Sequence, residues 1–131
     1  MYDNVLYAKT TVRQEFRDSR LVVRGRVLSN RYRDDDAKDI AGIVSRFRVD
    51  EVFKGRAHGV ITIYTERSSG AYYLDDAKEY LLFLQPLQSS SWAKNYPNPD
   101  AKVVNYSCGQ SRPWGQVGWR SRVLLTKLSG R

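Results

Sequence analysis

Two residues are the first candidates for chemistry in this chain: its only cysteine, Cys108, and its only histidine, His58. A cysteine becomes a nucleophile when a neighbouring base or cation stabilises its thiolate. His58 lies in the polar turn GRAHG, and no local sequence feature connects it with Cys108 in NYSCGQSRPW. We therefore predict no catalytic residues and no enzymatic activity. For Cys108 the sequence leaves open an intermolecular disulfide, a reactive thiol or, as the favoured interpretation, a small buried side chain.

Metal ligands are as scarce as nucleophiles. One histidine and one cysteine cannot supply the three or four protein ligands of a common zinc site. The acidic stretch at Asp34, Asp35, Asp36 and Asp39 offers carboxylate oxygens, but it lacks the D-x-D-x-D-G spacing of an EF-type calcium loop. We interpret it as a solvated acidic loop and predict no metal and no cofactor.

Arginines that alternate with apolar residues form the most suggestive cluster. They lie in the runs RLVVRGRVLS and IVSRFRVDEVFKG, whose antiparallel pairing would place them on one outer face beside a tyrosine from the next run. This predicted basic face consists of Arg24, Arg26, Arg46, Arg48 and Tyr64. Cations beside an aromatic ring are typical of barrels that bind single-stranded nucleic acid. In the alternative interpretation Asp50, Glu51 and Glu66 neutralise the cations, and the face is solvated or covered by a helix.

Length and composition limit the classes of protein that fit. The 131 residues suit one domain, spanning residues 1–131, with a single core. Twenty-two Lys and Arg against fourteen Asp and Glu give a formal charge of +8, which favours acidic partners such as nucleic acid, anionic lipid or an acidic protein. No run approaches the ~18 apolar residues that a membrane-spanning helix needs, and the opening MYDNVLYAKTTVRQEF has no apolar signal core.

Strand signals dominate the elements that must position these residues. Besides the two arginine-bearing runs, VITIYTE and AKVVNYS read as strands, and the continuous apolar run in KEYLLFLQPL predicts a strand buried on both sides. Gly25 inside the first run predicts a bend or bulge.

The connections and ends complete the predicted fold. The charged stretch NRYRDDDAKDIAG, residues 30–42, is predicted to be an exposed hairpin loop. Helical spacing in GWRSRVLLTKLSG predicts a C-terminal helix, and TVRQEFRDS predicts a short N-terminal one. We predict a mainly β protein, a five-stranded OB-like closed barrel with these two helices; an open α+β sheet is the alternative.

The order of the motifs resembles that of a known family. LVVRGRVLS, FRVDEVFKG, ITIYTERSSG, KEYLLFL and NYSCGQSRPW follow one another like the motifs of the netrin-like domain of tissue inhibitors of metalloproteinases and their bacterial relatives. The resemblance covers roughly residues 16 to 114. It implies an OB-type barrel that is secreted or periplasmic, stapled by disulfides and bound to a protein partner.

The chain departs from the family pattern at two places. Ser69-Gly70 stands where the family has Cys-Gly, and MYDNVLYAKT lacks the N-terminal Cys-x-Cys with which the inhibitors chelate the catalytic zinc. The resemblance therefore implies no zinc-chelating protease inhibition by this chain. Cys108 matches the late cysteine of the family, whose partner would lie near the mature N-terminus.

The resemblance also implies a docking site and an environment for Cys108. The loop that flanks the binding ridge of the inhibitors corresponds to Glu66, Arg67, Ser68, Ser69, Gly70 and Tyr72. An ordinary hairpin turn is the alternative for this loop. The Cys108 thiol is expected to face the segment from Thr10 to Phe16, with Val12, Phe16 and the C-terminal helix filling the space of the missing partner. Cys108→Ser is then expected to cost little stability and to leave binding intact.

Two function classes follow. The first is a non-catalytic, extracytoplasmic netrin-like module that docks a protein partner. The alternative is an OB-fold module that binds single-stranded nucleic acid through the basic face, with the steep salt dependence that phosphate neutralisation gives. The sequence does not identify the partner or the oligomeric state.

Overall fold

Six strands and two α-helices make up the described part of the chain, residues 10–34, 40–67, 71–105 and 109–130 of a computed structural model. The helices are α1 (Val12–Asp18) and α2 (Trp119–Leu128). The strands are β1 (Leu21–Asp34), β2 (Ile40–Lys54), β3 (Val60–Glu66), β4 (Glu79–Pro86), β5 (Lys102–Val104) and β6 (Arg112–Pro113). Two short 3-10 helices, Leu87–Ser89 and Ala93–Asn95, lie between β4 and β5, and a third, Trp114–Gln116, follows β6.

The sheet closes on itself. Its strands are hydrogen-bonded in the order β1-β2-β3-β5-β4, and β4 pairs back with β1 from Leu21↔Leu84 to Arg26↔Glu79. All of these pairings are antiparallel except that of β3 with β5, and the short β6 extends the sheet beside β4. The predicted mainly β fold, a closed five-stranded barrel with a C-terminal and a short N-terminal helix, is confirmed.

The β1–β2 hairpin is longer than predicted. Residues 30–34 and 40–42 were expected to be exposed loop, but they are strand, with Asn30 opposite Ser45 and Tyr32 opposite Ile43. The expectation was wrong because polar side chains do not prevent pairing in a hairpin arm, where the two backbones satisfy each other's hydrogen bonds. Asp34 ends β1, whereas Asp35, Asp36 and Asp39 lie outside the described residues.

The predicted irregularity at Gly25 is confirmed. The register between β1 and β2 shifts between Arg24 and Gly25, as it does at a bulge. A Cβ at Gly25 would overlap the carbonyl oxygen of Arg48 and the ring of Phe47. Only glycine therefore lets β1 lie this close to β2.

The burial of β4 on both faces is also confirmed. Tyr80, Leu82 and Leu84 face the barrel interior, and Leu81 and Phe83 face outward, yet all five are at most 2% exposed. The helices outside the barrel make this possible, because Leu81 and Phe83 pack in one cluster with Leu125.

Three apolar clusters fill the described part of the molecule. The barrel interior holds Leu21, Val23, Val27, Phe47, Ile63, Leu74, Tyr80, Leu82 and Leu84. The helix-covered cluster comprises Val22, Phe53, Leu81, Phe83, Val117 and Leu125, against which Val12, Phe16 and Trp114 pack. The third cluster, under the β4–β5 connection, comprises Val44, Tyr64, Leu87, Ala101 and Val103, with Tyr96 against it.

The helices begin and pack as their sequences require. Thr11 caps α1 by accepting a hydrogen bond from the Gln14 amide at 3.0 Å. In α2 the buried residue is Leu125, while Val123, which the helical spacing had grouped with the apolar residues, is 51% exposed. Val12 and Phe16 share a cluster with Leu125, so α1 and α2 cover the same face of the barrel.

Candidate binding pocket at the junction of β3 and β5

A pocket of about 480 Å³ lies where β3 and β5 come together. These two strands pair at one position, Ile63↔Lys102, and the pocket lies beyond this pair toward the carboxyl ends of both strands. Its wall is formed by Tyr64, Thr65, Glu66, Ala71, Tyr72, Gln85, Ser89, Ser90, Trp92, Val103, Val104 and Asn105. The volume is within the ~300–1,000 Å³ range of small-molecule sites.

Glu66 is the carboxylate of this wall. The Tyr64 hydroxyl donates a hydrogen bond to its Oε1 at 2.7 Å, and Asn95 Nδ2 lies 3.2 Å from both carboxylate oxygens. Both donors are neutral, so they orient the carboxylate without cancelling its charge. Glu66 is half-buried and reaches the pocket from the last position of β3.

Three aromatic residues contribute to the same wall. Tyr64 stacks on Tyr96 with ring centroids 5.3 Å apart, and Tyr72 meets Tyr80 edge-to-face at 6.2 Å. Burial raises the pKa of the Tyr72 hydroxyl, so this group stays neutral at physiological pH. Trp92, from the β4–β5 connection, is 38% exposed and lies at the rim.

The predicted docking loop lies beside this pocket. Glu66 and Tyr72 line it directly, and Arg67 is exposed next to Glu66. Ser68, Ser69 and Gly70 lie outside the described residues. The structure thus brings Glu66 and Tyr72 together around one cavity.

Arg24 of the predicted basic face is already engaged within the protein. Its Nε lies 2.8 Å from Glu79 and its Nη1 3.3 Å from Glu51, and the guanidinium covers the Trp114 ring at 4.7 Å. Its hydrogen bond to Glu79 raises the pKa of Arg24 above its usual value. Arg122 covers Trp114 as well, at 4.3 Å, so Arg24 belongs to the helix-covered side of the barrel.

The other three arginines lie nearer to solvent. Arg26 is opposite Arg48 on one side and Glu79 on the other, and its guanidinium donates to the carbonyl oxygen of Ala77. Arg48 pairs with Asp50 at 2.9 Å, and Arg46 is exposed. Asp50 and Glu51 therefore balance cations of this face as the alternative interpretation expected, whereas Glu66 belongs to the pocket.

Tyr64 does not join the basic face, and that part of the prediction is wrong. Its side chain is 1% exposed because the β4–β5 connection covers the outer face of β3 and stacks Tyr96 on the ring. Outward direction on a strand gives exposure only where no other segment covers the strand. Within the described residues, no aromatic ring accompanies Arg26, Arg46 and Arg48 in a cation–π contact.

The surroundings of Cys108 are described only in part, because the residue itself lies outside the described ranges. The residues that follow it contact the N-terminal segment: the Gln110 amide donates to Glu15 at 2.7 Å, and the Gln110 side chain donates to the carbonyl oxygen of Thr10. His58 is exposed in the turn between β2 and β3.

Glu15 is a buried carboxylate that the sequence analysis missed. It is 0% exposed, its Oε2 accepts from Thr10 and Gln110, and its Oε1 has no hydrogen-bond partner within the described part of the chain. Burial raises the pKa of Glu15, and a Cβ at Gly109 would collide with its carboxylate. In the sequence Glu15 looks like an ordinary polar residue of a short helix, so no signal there indicates its burial.

Other pocket residues escaped sequence analysis for a similar reason. Gln85, Trp92 and Asn105 lie in three separate segments and meet only through the barrel topology. A tryptophan in the polar stretch QSSSWAKNYPNPD was the one local signal. Large aromatic residues in polar loops are enriched at binding surfaces.

Two further properties concern metals and membranes. Among residues 10–34, 40–67, 71–105 and 109–130, no group of three or more His, Cys, Asp or Glu could hold a metal ion. Neither of the described helices has the length and apolar character for crossing a bilayer.

Comparison with known proteins gives no family assignment. No protein-family model matches the chain, and no curated protein is significantly similar to it in sequence. The geometry of the pocket and the balanced charges of the arginine face are therefore the basis for a functional proposal.

Proposed function

We propose that this chain is a non-catalytic, netrin-like binding module of the OB type that docks a protein partner at the β3–β5 pocket. Support for the OB type comes from the strand order β1-β2-β3-β5-β4 with β4 returning to β1. The ordered motifs between residues 16 and 114 support a netrin-like relationship. A secreted or periplasmic location, and a mode of binding without zinc chelation, are the parts of the proposal that rest on this resemblance alone.

One observation carries the proposal: the pocket lies at the loop that the family resemblance implies for docking. Glu66 and Tyr72 line its wall, and Trp92 lies at its rim. Tryptophan and tyrosine are, with arginine, the residues enriched among those that dominate binding energy at protein interfaces. A carboxylate among aromatic side chains gives such an interface both apolar area and orientation.

Nucleic-acid binding receives less support from the same structure. Single-strand binding needs unpaired cations along a groove together with exposed aromatic rings on which bases stack. On this barrel Arg24 and Arg48 are paired with carboxylates, and Tyr64 is buried. A net charge of +8 remains, so non-specific attraction of phosphate at low salt is expected in any case.

Comparative capture from cell-envelope extracts tests the proposal. At moderate salt the wild-type chain is expected to retain a discrete protein that Trp92→Ala loses. Trp119→Ala is the matched control, because Trp119 is 69% exposed on α2, away from the pocket wall, and its removal should leave capture unchanged.

Two results would contradict the proposal. One is equal capture by wild type and Trp92→Ala, which would place docking elsewhere. The other is retention of single-stranded nucleic acid alone, with an affinity that falls steeply between two salt concentrations, which would favour the alternative function.

A further inference from the structure

The polar groups of the β3–β5 pocket include several hydrogen-bond acceptors. Gln85 donates from its side-chain nitrogen to the carbonyl oxygen of Asp18, and Asn105 Nδ2 donates to Ser19 Oγ at 3.0 Å. Each amide nitrogen thus has one of its two N–H groups engaged within the protein, and its amide oxygen can accept a hydrogen bond from a ligand. The wall therefore offers two amide oxygens in addition to the Glu66 carboxylate.

Glu66 adds an uncompensated charge to these acceptors. Among the described residues it forms no ion pair, and its hydrogen-bond donors Tyr64 and Asn95 are neutral. The contrast with Glu51 and Glu79 is direct, because Arg24 pairs with both. A half-buried carboxylate without a cation attracts one from a ligand more strongly than a fully solvated carboxylate does.

The aromatic residues favour the same kind of ligand. Tyr72 and Trp92 belong to the wall, and the faces of tyrosine and tryptophan rings attract ammonium and guanidinium groups. The volume of about 480 Å³ admits a long side chain together with part of its backbone. Acceptors, a negative charge and aromatic faces combine into a site for a donor-rich cation.

We infer that the pocket binds the cationic side chain of a lysine or arginine presented by the protein partner, with Glu66 as its counter-ion. The inference rests on the proposed function, since it names the group that the docked partner inserts. The remainder of the chain is strongly basic and repels a cation at long range. Recognition therefore depends on short-range contacts inside the pocket.

A nuclear magnetic resonance titration tests the inference without knowledge of the partner. The probes are Nα-acetyl-arginine amide and its nearly isosteric, uncharged analogue Nα-acetyl-citrulline amide. The arginine probe is expected to shift the backbone amides of Thr65, Ala71 and Val104 at millimolar concentrations, while the citrulline probe binds at least about tenfold more weakly, a difference typical of a charge-assisted hydrogen bond. Equal shifts from both probes, or none at tens of millimolar, would overturn the inference.

Matched variants test whether Glu66 supplies the negative charge that binds the probe. Glu66→Gln keeps an acceptor for Tyr64 and Asn95 and is expected to reduce binding of the arginine probe to that of the citrulline probe. Asp100→Asn removes the same charge from an exposed position outside the pocket wall and should leave probe binding unchanged. Equal loss in both variants would show that only net charge matters and would refute the site.

The two proposals can fail separately. If the probes do not bind but protein capture is still lost in Trp92→Ala, docking at the pocket stands and cation recognition falls. If the arginine probe binds through Glu66 but capture does not depend on Trp92, cation recognition stands and protein docking falls.

Discussion

The barrel is closed in two different ways on its two sides. β1 and β2 pair from Val22↔Lys54 to Asp34↔Ile40, whereas β3 and β5 meet at the single pair Ile63↔Lys102. On the long ladder Arg24 and Arg48 pair with carboxylates, and the short junction opens into a pocket whose Glu66 forms no ion pair among the described residues. Within one sheet, an extended ladder thus contrasts with a short junction, and the pocket that we propose as the docking site lies where the pairing stops.

The largest expected effect comes from disturbing the tight side at Gly25. In Gly25→Ala the added methyl group would overlap the Arg48 carbonyl and Phe47, so β1 must move away from β2. We expect a loss of about 3 kcal/mol or more in the free energy of unfolding, measured by urea denaturation. Gly115→Ala, where a Cβ meets no atom within 4 Å, is the control and should change stability by less than about 0.5 kcal/mol.

A smaller loss is expected when the balanced charges of the ladder are broken. Arg24→Ala removes the guanidinium that pairs with Glu51 and Glu79 and a cation–π contact with Trp114. Because the arginine is partly exposed, we expect a loss of about 1–2 kcal/mol in the same denaturation experiment. Arg46→Ala, at an exposed position of β2, should cost less than about 0.5 kcal/mol. Similar losses in both variants would contradict the distinction between the two arginines.

The burial of Glu15 predicts that the free energy of unfolding depends on pH. Burial raises its pKa in the folded protein, so the folded state holds this proton more tightly than the unfolded chain does. Its contribution to stability is therefore greatest below the unfolded pKa of about 4.3 and declines as pH rises through the folded pKa. Relative to Glu15→Gln, the wild type should lose unfolding free energy with increasing pH over this range. A difference that stays constant with pH, or that grows in favour of the wild type, would contradict the burial of an ionisable carboxyl.

The smallest change in stability is expected at the open side. Glu66→Gln retains an oxygen that can accept from Tyr64 and Asn95, and Glu66 has no described ion pair to lose. We expect the free energy of unfolding to change by less than about 0.5 kcal/mol in urea denaturation. A loss comparable with that of Arg24→Ala would mean that Glu66 serves the fold, and the contrast between the two sides would disappear.

The parts of the fold that follow local periodicity were predictable from the sequence. Alternation in the first runs placed Val23 and Phe47 inside, and continuous apolar residues in β4 predicted burial on both faces. The bulge at Gly25 was predictable because a glycine inside a strand pattern usually marks a bulge, a bend or a close approach of another backbone. These features depend on neighbours along the chain, which the sequence displays directly.

The errors and omissions concern contacts between distant segments. Alternation pointed Tyr64 outward but gave no sign that the stretch containing Tyr96 covers it. The pocket combines β3, β4 and β5 with the β4–β5 connection, and Glu15 is buried by Gln110, far away in the chain. In the β1–β2 hairpin the charged residues did not indicate how long the two strands are, because pairing there depends on backbone hydrogen bonds and not on side-chain polarity.

The single pair between β3 and β5 also has a consequence for the order of folding. β1 and β2 are adjacent in the chain and can pair progressively from their connection. Ile63 and Lys102 can pair only after the segment between them has folded. Closing that long loop costs chain entropy before any contact compensates for it. We therefore expect the junction to form late in folding and to separate early in unfolding, on the side of the barrel where we propose that the partner binds.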